Sequence, residues 1–230
     1  MKNIFLVDAD DTILDFHKAS SLALRNAFEM LGEPWKEEYA AEFKIVNDGL
    51  WEALERKEIT RLHLIEIRFP LYMKHLGVEI DGQRFNELYL TYLATHPIYV
   101  DGAEEFLKTL NEWGRVFIVT NGTERIQRSR FDIAKLWDYG EDVFISDCIG
   151  VDKPAKGYTD YVISHIQSFD KEKAVWIGDS LSADIRAANE AEITSVWFNP
   201  AQKQNNGKAT PDYTANGFSE ILEYIKKLND

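Results

Sequence analysis

Residues 4–12 read IFLVDADDT, and this stretch decides the fold. Ile4, Phe5, Leu6 and Val7 form an unbroken apolar run of β-branched and aromatic character, halted at once by Asp8, Asp10 and Asp11. A run that short, apolar at every position, is the mark of a strand buried on both faces. A secretory leader would need an apolar stretch of about 7 to 15 residues. The segment is therefore read as a strand that enters a functional turn.

Working outward, the same signature recurs at 116–119, 143–145, 174–177 and 195–198. Continuous rather than alternating hydrophobicity predicts a parallel sheet with helices on both sides. Helical patterns fall between these runs. Ala103–Trp113 carries Phe106, Leu107 and Leu110 at helical spacing and stops at Gly114, and similar patterns cover 125–137 and 158–167. The predicted class is α/β, with a doubly wound, Rossmann-like parallel sheet.

Between residues 16 and 96 the alternation lapses. Amphipathic patterns over 19–31, 37–55 and 61–76, with breaks at 32–34, 77–82 and 96–97, predict an all-helical insertion of about four helices. The predicted domains are a core of 1–15 with 97–230, and the insertion 16–96. A module inserted straight after the first strand is expected over that strand's C-terminal end, where open parallel sheets bind ligands.

Composition narrows the partners. The chain has 230 residues, 45% hydrophobic and 28% charged, enough for a large core and far from a disordered composition. Lys+Arg 26 against Asp+Glu 39 gives a net charge of −13, which repels a phosphate backbone and excludes nucleic acid as an expected partner. No apolar run reaches the roughly 18 to 20 residues that span a bilayer. The lone Cys148 allows no internal disulfide, which suits a reducing compartment, so a cytoplasmic location is expected.

Four of the predicted strands end in polar residues: Asp8 to Thr12 (DADDT), Thr120-Asn121-Gly122, Lys153-Pro154 in the loop after the third, and GDSLSAD over 178–184. Singly each is bland, since Asp-rich turns and Thr-Asn-Gly are ordinary turn and cap chemistry. In one parallel sheet, however, these ends converge. Their order and strand context predict one site.

This pattern resembles the haloacid dehalogenase-like superfamily in its phosphatase form, across essentially the whole chain. The family's Asp-x-Asp-x-Thr, then Ser/Thr, then Lys, then Gly-Asp with a further Asp is met by Asp8, Asp10, Thr12, Thr120, Lys153, Asp179 and Asp184. The helical insertion is similar to the family's cap. DADDT, Thr-Asn-Gly, Gly-Asp-Ser-Leu and Trp197-Phe198-Asn199-Pro200 look like the pyrimidine 5′-nucleotidase branch. The resemblance implies a magnesium-dependent phosphatase acting on a small phosphate monoester, a nucleoside 5′-monophosphate, with Asp10 as acid and base. An intact Asp10 disfavours the family's dehalogenases and phosphonate hydrolases. A sugar-phosphate phosphatase, a phosphomutase and, from another class, a catalytically silent phospho-ligand sensor stay open. Ala155-Lys156, where an Asp-Pro is common, and Glu192, where a Gly often closes the fourth motif, depart from the pattern without touching the chemistry.

Electrostatics points the same way. Two carboxylates about 4 Å apart repel by roughly 4 kcal/mol at an effective dielectric near 20. Asp8, Asp10, Asp179 and Asp184 can gather only around protons or a cation, and an all-oxygen donor set selects a hard ion, Mg²⁺. The expected metal ligands are the Asp8 and Asp179 carboxylates and the Asp10 carbonyl, with Asp184 acting through water. Asp8 is expected to attack phosphorus. An acid at Asp10 needs a pKa above the usual value of about 3.9, a rise expected from neighbouring Asp8. The Thr120 hydroxyl, the N–H groups of Asn121 and Gly122 opening a helix, and Lys153 are expected to hold the phosphate.

Other residues are read conservatively. Trp35, Trp51, Trp137, Trp176 and Trp197 are expected in the core, with Trp51 and Phe16 the candidates to stack on a base. The five histidines lack metal-type spacing, and Cys148 is expected to be structural.

Overall fold

A computed structural model describes residues 1–205 and 207–230. In chain order the elements are β1 (Ile4–Asp8), α1 (Phe16–Met30), α2 (Glu38–Glu55), α3 (Arg61–Leu76), α4 (Gly82–Leu93), α5 (Ala103–Trp113), β2 (Arg115–Thr120), α6 (Glu124–Ala134), β3 (Asp142–Ile145), α7 (Ser146–Ile149), α8 (Lys156–His165), β4 (Ala174–Gly178), α9 (Arg186–Glu190), β5 (Thr194–Phe198), β6 (Tyr213–Ala215) and α10 (Phe218–Asn229). A π-helical segment, Leu181–Ile185, leads into α9. The chain divides into two compact units, Met1–Phe16 with Pro97–Asp230, and His17–His96.

The first unit holds one parallel sheet in the order β3-β2-β1-β4-β5-β6. Every residue of β1 is buried, and alternate side chains enter different cores. Phe5 and Val7 pack with Val116, Ile118, Val175 and Ile177 against Phe106, Leu107 and Leu110 of α5 and Ile221 and Ile225 of α10. Ile4 and Leu6 pack on the other face with Phe117, Val119 and Trp176 against Tyr158 and Val162 of α8 and Ala187 and Ala188 of α9. Burial on both faces explains why these strands read as continuous apolar runs.

Two elements extend the predicted core. β6 adds a sixth strand at the edge, paired with β5, and α10 covers one face. The aromatic expectation needs correction: Trp176 and Trp197 are buried, but Trp35 and Trp51 are only half-buried and Trp137 is exposed. Cys148 is a free, exposed thiol on α7.

The second unit is a four-helix module, α1–α4, apart from Phe16, which belongs to the first. Its core is aromatic: Phe28 meets Phe85 edge-on at 4.8 Å between centroids, and Phe69 lies 4.8 Å from Tyr89 and 5.4 Å from Phe43. Helix α3 starts at Thr60, whose hydroxyl accepts from the His63 N–H, and stops at Gly77 in the left-handed region (φ 68°) that glycine adopts without penalty. Among the described residues no helix is long and apolar enough to cross a membrane.

Candidate active site

β1 and β4 are neighbours at the point where the strand order reverses, and ligands of open parallel sheets bind beyond the carboxyl ends at such a point. Asp8 ends β1 and Asp179 follows Gly178, the last residue of β4, so two adjacent strands bring carboxylates to one rim. Asp184 arrives from the π-helical segment. One carboxylate oxygen from each of Asp8, Asp179 and Asp184 lies within 4.8 Å of the other two.

Lys153 is buried among them. Its ammonium donates to Asp8 Oδ1 at 2.7 Å, Asp184 Oδ1 at 2.6 Å and the Val119 carbonyl at 3.0 Å, which uses all three protons. The loop that carries it is clamped to the end of β2: the Lys153 N–H donates to Asn121 Oδ1 at 2.8 Å, and Asn121 Nδ2 donates to the Lys153 carbonyl at 3.0 Å. Thr12 donates to Asp8 Oδ2 at 3.1 Å, the Ser180 N–H to Asp184 Oδ2 at 3.2 Å, and Trp197 Nε1 to the Asp179 carbonyl at 2.8 Å.

The cluster holds more carboxyl groups than its own cation can balance if all are ionised. Burial first, and then Asp184, push the Asp8 carboxyl well above its ordinary value, with Lys153 pulling the other way. Asp179 is pushed up to about 8 by its withdrawal from water and then by Asp11 and Asp184. Burial works against the Lys153 ammonium, but Asp184 and Asp8 outweigh it and hold the group above its ordinary value. Three carboxylates face one ammonium, so ionised together they would leave a deficit of two positive charges; in the metal-free fold protons meet it, Asp179 holding its own to about pH 8, and Lys203 approaches Asp179 only at 3.9 Å. That deficit and the oxygen-only donor set fit a hard divalent cation.

Gly178 is required by this crowding, because a Cβ there would lie 2.3 Å from Asp184 Cγ and 2.5 Å from its Oδ2. Gly178→Ala is expected to push Asp184 aside, lowering stability by about 1–3 kcal/mol and weakening metal binding. Thermal melts with and without MgCl₂ check this. A variant that melts and responds like the parent would show that the contact is not confining.

The remaining predicted residues lie close by, with two differences. Thr120 is buried at the end of β2, and its Oγ1 accepts from the Gly122 N–H at 3.0 Å and from Gln127 Nε2 at 2.9 Å, which leaves its own proton to donate. Helix α6 begins at Glu124 with Thr123 as its cap, so Asn121 and Gly122 do not open it, and the Gly122 N–H expected to face phosphate is held by Thr120. Asp10 also departs from expectation. Its Oδ1 accepts from Arg130 Nη1 at 2.6 Å and its Oδ2 from Gln127 Nε2 at 2.8 Å, a cation and an amide where Asp8 had been named as the neighbour. Gln127 and Arg130 are not singled out by the sequence; both are buried beside Ile126 and Phe131 on α6, a burial that the residue types do not announce.

Comparison with known proteins places this geometry. A sequence model of the haloacid dehalogenase-like hydrolases matches residues 2–192. The HAD-hydrolase YfnB of Bacillus subtilis is 36% identical over 224 residues, 97% of this chain and 95% of that protein. Pyrimidine 5′-nucleotidase PynA of Streptococcus pneumoniae is 34% identical over 223 residues, 96% of this chain and 94% of that one. A crystal structure of the B. subtilis protein bound to magnesium superposes with a TM-score of 0.92 at 35% identity, over 97% of this chain and 98% of that one. Matched along nearly its whole length in sequence and in fold, this chain belongs to the haloacid dehalogenase-like hydrolase family.

Proposed function

We propose that the protein is a Mg²⁺-dependent phosphomonoester hydrolase that works through an aspartyl phosphate, with pyrimidine nucleoside 5′-monophosphates as its substrate class and the cytoplasm as its location. The observation that carries the reading is the cluster of Asp8, Asp179 and Asp184 around Lys153 at the strand-order reversal, three carboxylates set against a single ammonium. The substrate class is supported by similarity to a pyrimidine 5′-nucleotidase over 96% of the chain.

Asp8 and Asp179 would hold the magnesium ion together with the Asp10 carbonyl, and Asp184 through water. When bound, the ion supplies charge neutralisation for the carboxylates and for the phosphate. The Asp8 carboxylate attacks phosphorus in line; the bond to the leaving oxygen breaks, and Asp10 gives that oxygen a proton. Water then attacks the aspartyl phosphate while Asp10 takes its proton, and the bond to Asp8 breaks to release inorganic phosphate. Thr120 donates its hydroxyl proton to a phosphoryl oxygen as negative charge builds there, and the Lys153 ammonium, its protons held by Asp8, Asp184 and the Val119 carbonyl, contributes its positive charge beside it.

The test is phosphate release from a panel of pyrimidine and purine 5′-monophosphates and sugar phosphates. Fastest turnover of pyrimidine nucleotides, lost with EDTA and restored by MgCl₂, is expected. Preference for a sugar phosphate would overturn the substrate class, and undiminished activity in EDTA the metal.

The same cluster sets a pH dependence. In the metal-free fold Asp179 keeps its proton to about pH 8, whereas the unfolded chain loses it near 3.8. A raised folded pKa stabilises fully below the unfolded value, and the contribution is lost as pH rises through the folded one. Metal-free protein should therefore lose stability across this window. Mg²⁺ favours the ionised form, so its stabilisation should grow from about pH 5 to pH 8 in thermal melts. A pH-independent Mg²⁺ effect would contradict this.

A further inference from the structure

Gln127 and Arg130 stand three residues apart on α6, and each is 1% exposed. A guanidinium and an amide so placed carry a heavy desolvation cost unless their polar atoms are used. Arg130 Nη1 donates to Asp10 Oδ1 at 2.6 Å and to Gln127 Oε1 at 2.8 Å. Gln127 Nε2 donates to Asp10 Oδ2 at 2.8 Å and to Thr120 Oγ1 at 2.9 Å. The two side chains thus tie together Asp10 from the turn after β1 and Thr120 from the end of β2.

Fold stability alone does not account for this arrangement. Arg130 Nε and Nη2 are buried without a hydrogen-bond partner among the described residues, a cost of about 1–3 kcal/mol for each such group. An apolar side chain would fill the same space without it. The backbone has also been drawn in: a Cβ on Gly122 would lie 2.3 Å from Gln127 Cγ and 2.5 Å from its Nε2. What the network does achieve is to grip both oxygens of the Asp10 carboxylate, which is otherwise partly open to solvent, its side chain 27% exposed.

We propose that Gln127 and Arg130 are positioning residues that fix the Asp10 carboxyl group relative to the Thr120 hydroxyl. The inference builds on the proposed role of Asp10 as proton donor to the leaving oxygen. Asp10 and Thr120 serve the same phosphoryl group, one at the departing oxygen and one at an oxygen that stays, so their separation has to be held. A displacement of about 1 Å can cost on the order of 10²-fold in rate. Gln127 sets the separation with a single amide that bonds to both. As the leaving-group bond breaks, the Asp10 O–H proton passes to the leaving oxygen, and the carboxylate that results is received by the Arg130 charge and the Gln127 amide.

The experiment compares kcat/KM, which reports the first phosphoryl transfer, on two kinds of ester. One is 2,4-dinitrophenyl phosphate, whose leaving group departs without a proton. The other is the alkyl phosphate turned over fastest in the panel above, whose leaving group needs one. Gln127→Met and Arg130→Met should lose about 10- to 100-fold on the alkyl ester and less than about threefold on the dinitrophenyl ester, part of the 10²- to 10⁴-fold that a general acid contributes. Arg130→Lys, which restores one charged donor, should recover part of the loss. Equal losses on both esters, or none, alongside a leaving-group-selective Asp10→Asn, would overturn the positioning role and spare the mechanism. An Asp10→Asn variant that is itself unselective would overturn the acid role and this inference with it. Melting curves establish that each variant is folded, and should Arg130→Met fail to fold, Gln127→Met decides alone.

Discussion

Asp8→Asn is expected to reduce kcat/KM for phosphate release by at least about 10⁴-fold, since in this reading no other group makes the first bond to phosphorus. The amide matches the carboxylate in shape but is neutral and a poor nucleophile. The fold has little reason to suffer. Lys153 keeps its 2.6 Å contact with Asp184, and the crowding that pushes the Asp8 carboxyl above its ordinary value is relieved. Metal-free Asp8→Asn should therefore melt at or above the parent temperature while bound Mg²⁺ stabilises it less, because one of three clustered carboxylates is gone. Rapid-quench trapping of the phosphorylated parent, with no trapped phosphate on the variant, separates a lost nucleophile from a lost metal. Turnover within about tenfold of the parent would sink the assignment, because loss of a true nucleophile is not absorbed by its neighbours.

What could be read beforehand follows from how each feature is encoded. β1, β2, β3, β4 and β5 were legible because a strand covered on both faces writes itself as a contiguous apolar run; Phe5 and Val7 serve one core, Ile4 and Leu6 the other. β6 was not, because Tyr213-Thr214-Ala215 is a three-residue edge strand with only Ala215 fully buried. Helix α10 was missed although Ile221 and Ile225, one turn apart and both buried, supply the helical spacing. In the site, Asp8, Thr120 and Asp179 stand at or next to strand ends, and Lys153 and Asp184 lie in the segments that follow β3 and β4, so strand context together with the motif pattern marked all five. The partners of Asp10 were not, since Gln127 and Arg130 act from inside a helix, where a polar residue resembles any solvated face until its burial is known. The same limit applies to Asn121, whose side chain turns to the Lys153 backbone, a long-range pairing that no local pattern announces.

Lys153→Met tests the electrostatics behind all of this and carries the largest expected effect on stability. Among the described residues the ammonium is the one cation paired with Asp8 and Asp184, at 2.7 and 2.6 Å, and the pair of carboxylates is buried with it. Removing one partner from a buried ionic cluster typically costs about 3–5 kcal/mol, because the charges left behind have neither water nor a counter-ion. Urea denaturation of the metal-free variant should show a loss of that order, together with loss of phosphatase activity. Two conditions should shrink the loss. Added Mg²⁺ supplies positive charge to the same carboxylates, and acid pH supplies protons, so the gap from the parent should narrow as magnesium rises or as pH falls. Combining Lys153→Met with Asp8→Asn should cost less than the two changes summed, by roughly 0.5–3 kcal/mol, the range seen for residues in direct contact. Strict additivity, or a loss indifferent to both magnesium and pH, would mean that the lysine fills space beside the carboxylates without balancing their charge, and the case for a cation site would lose its footing.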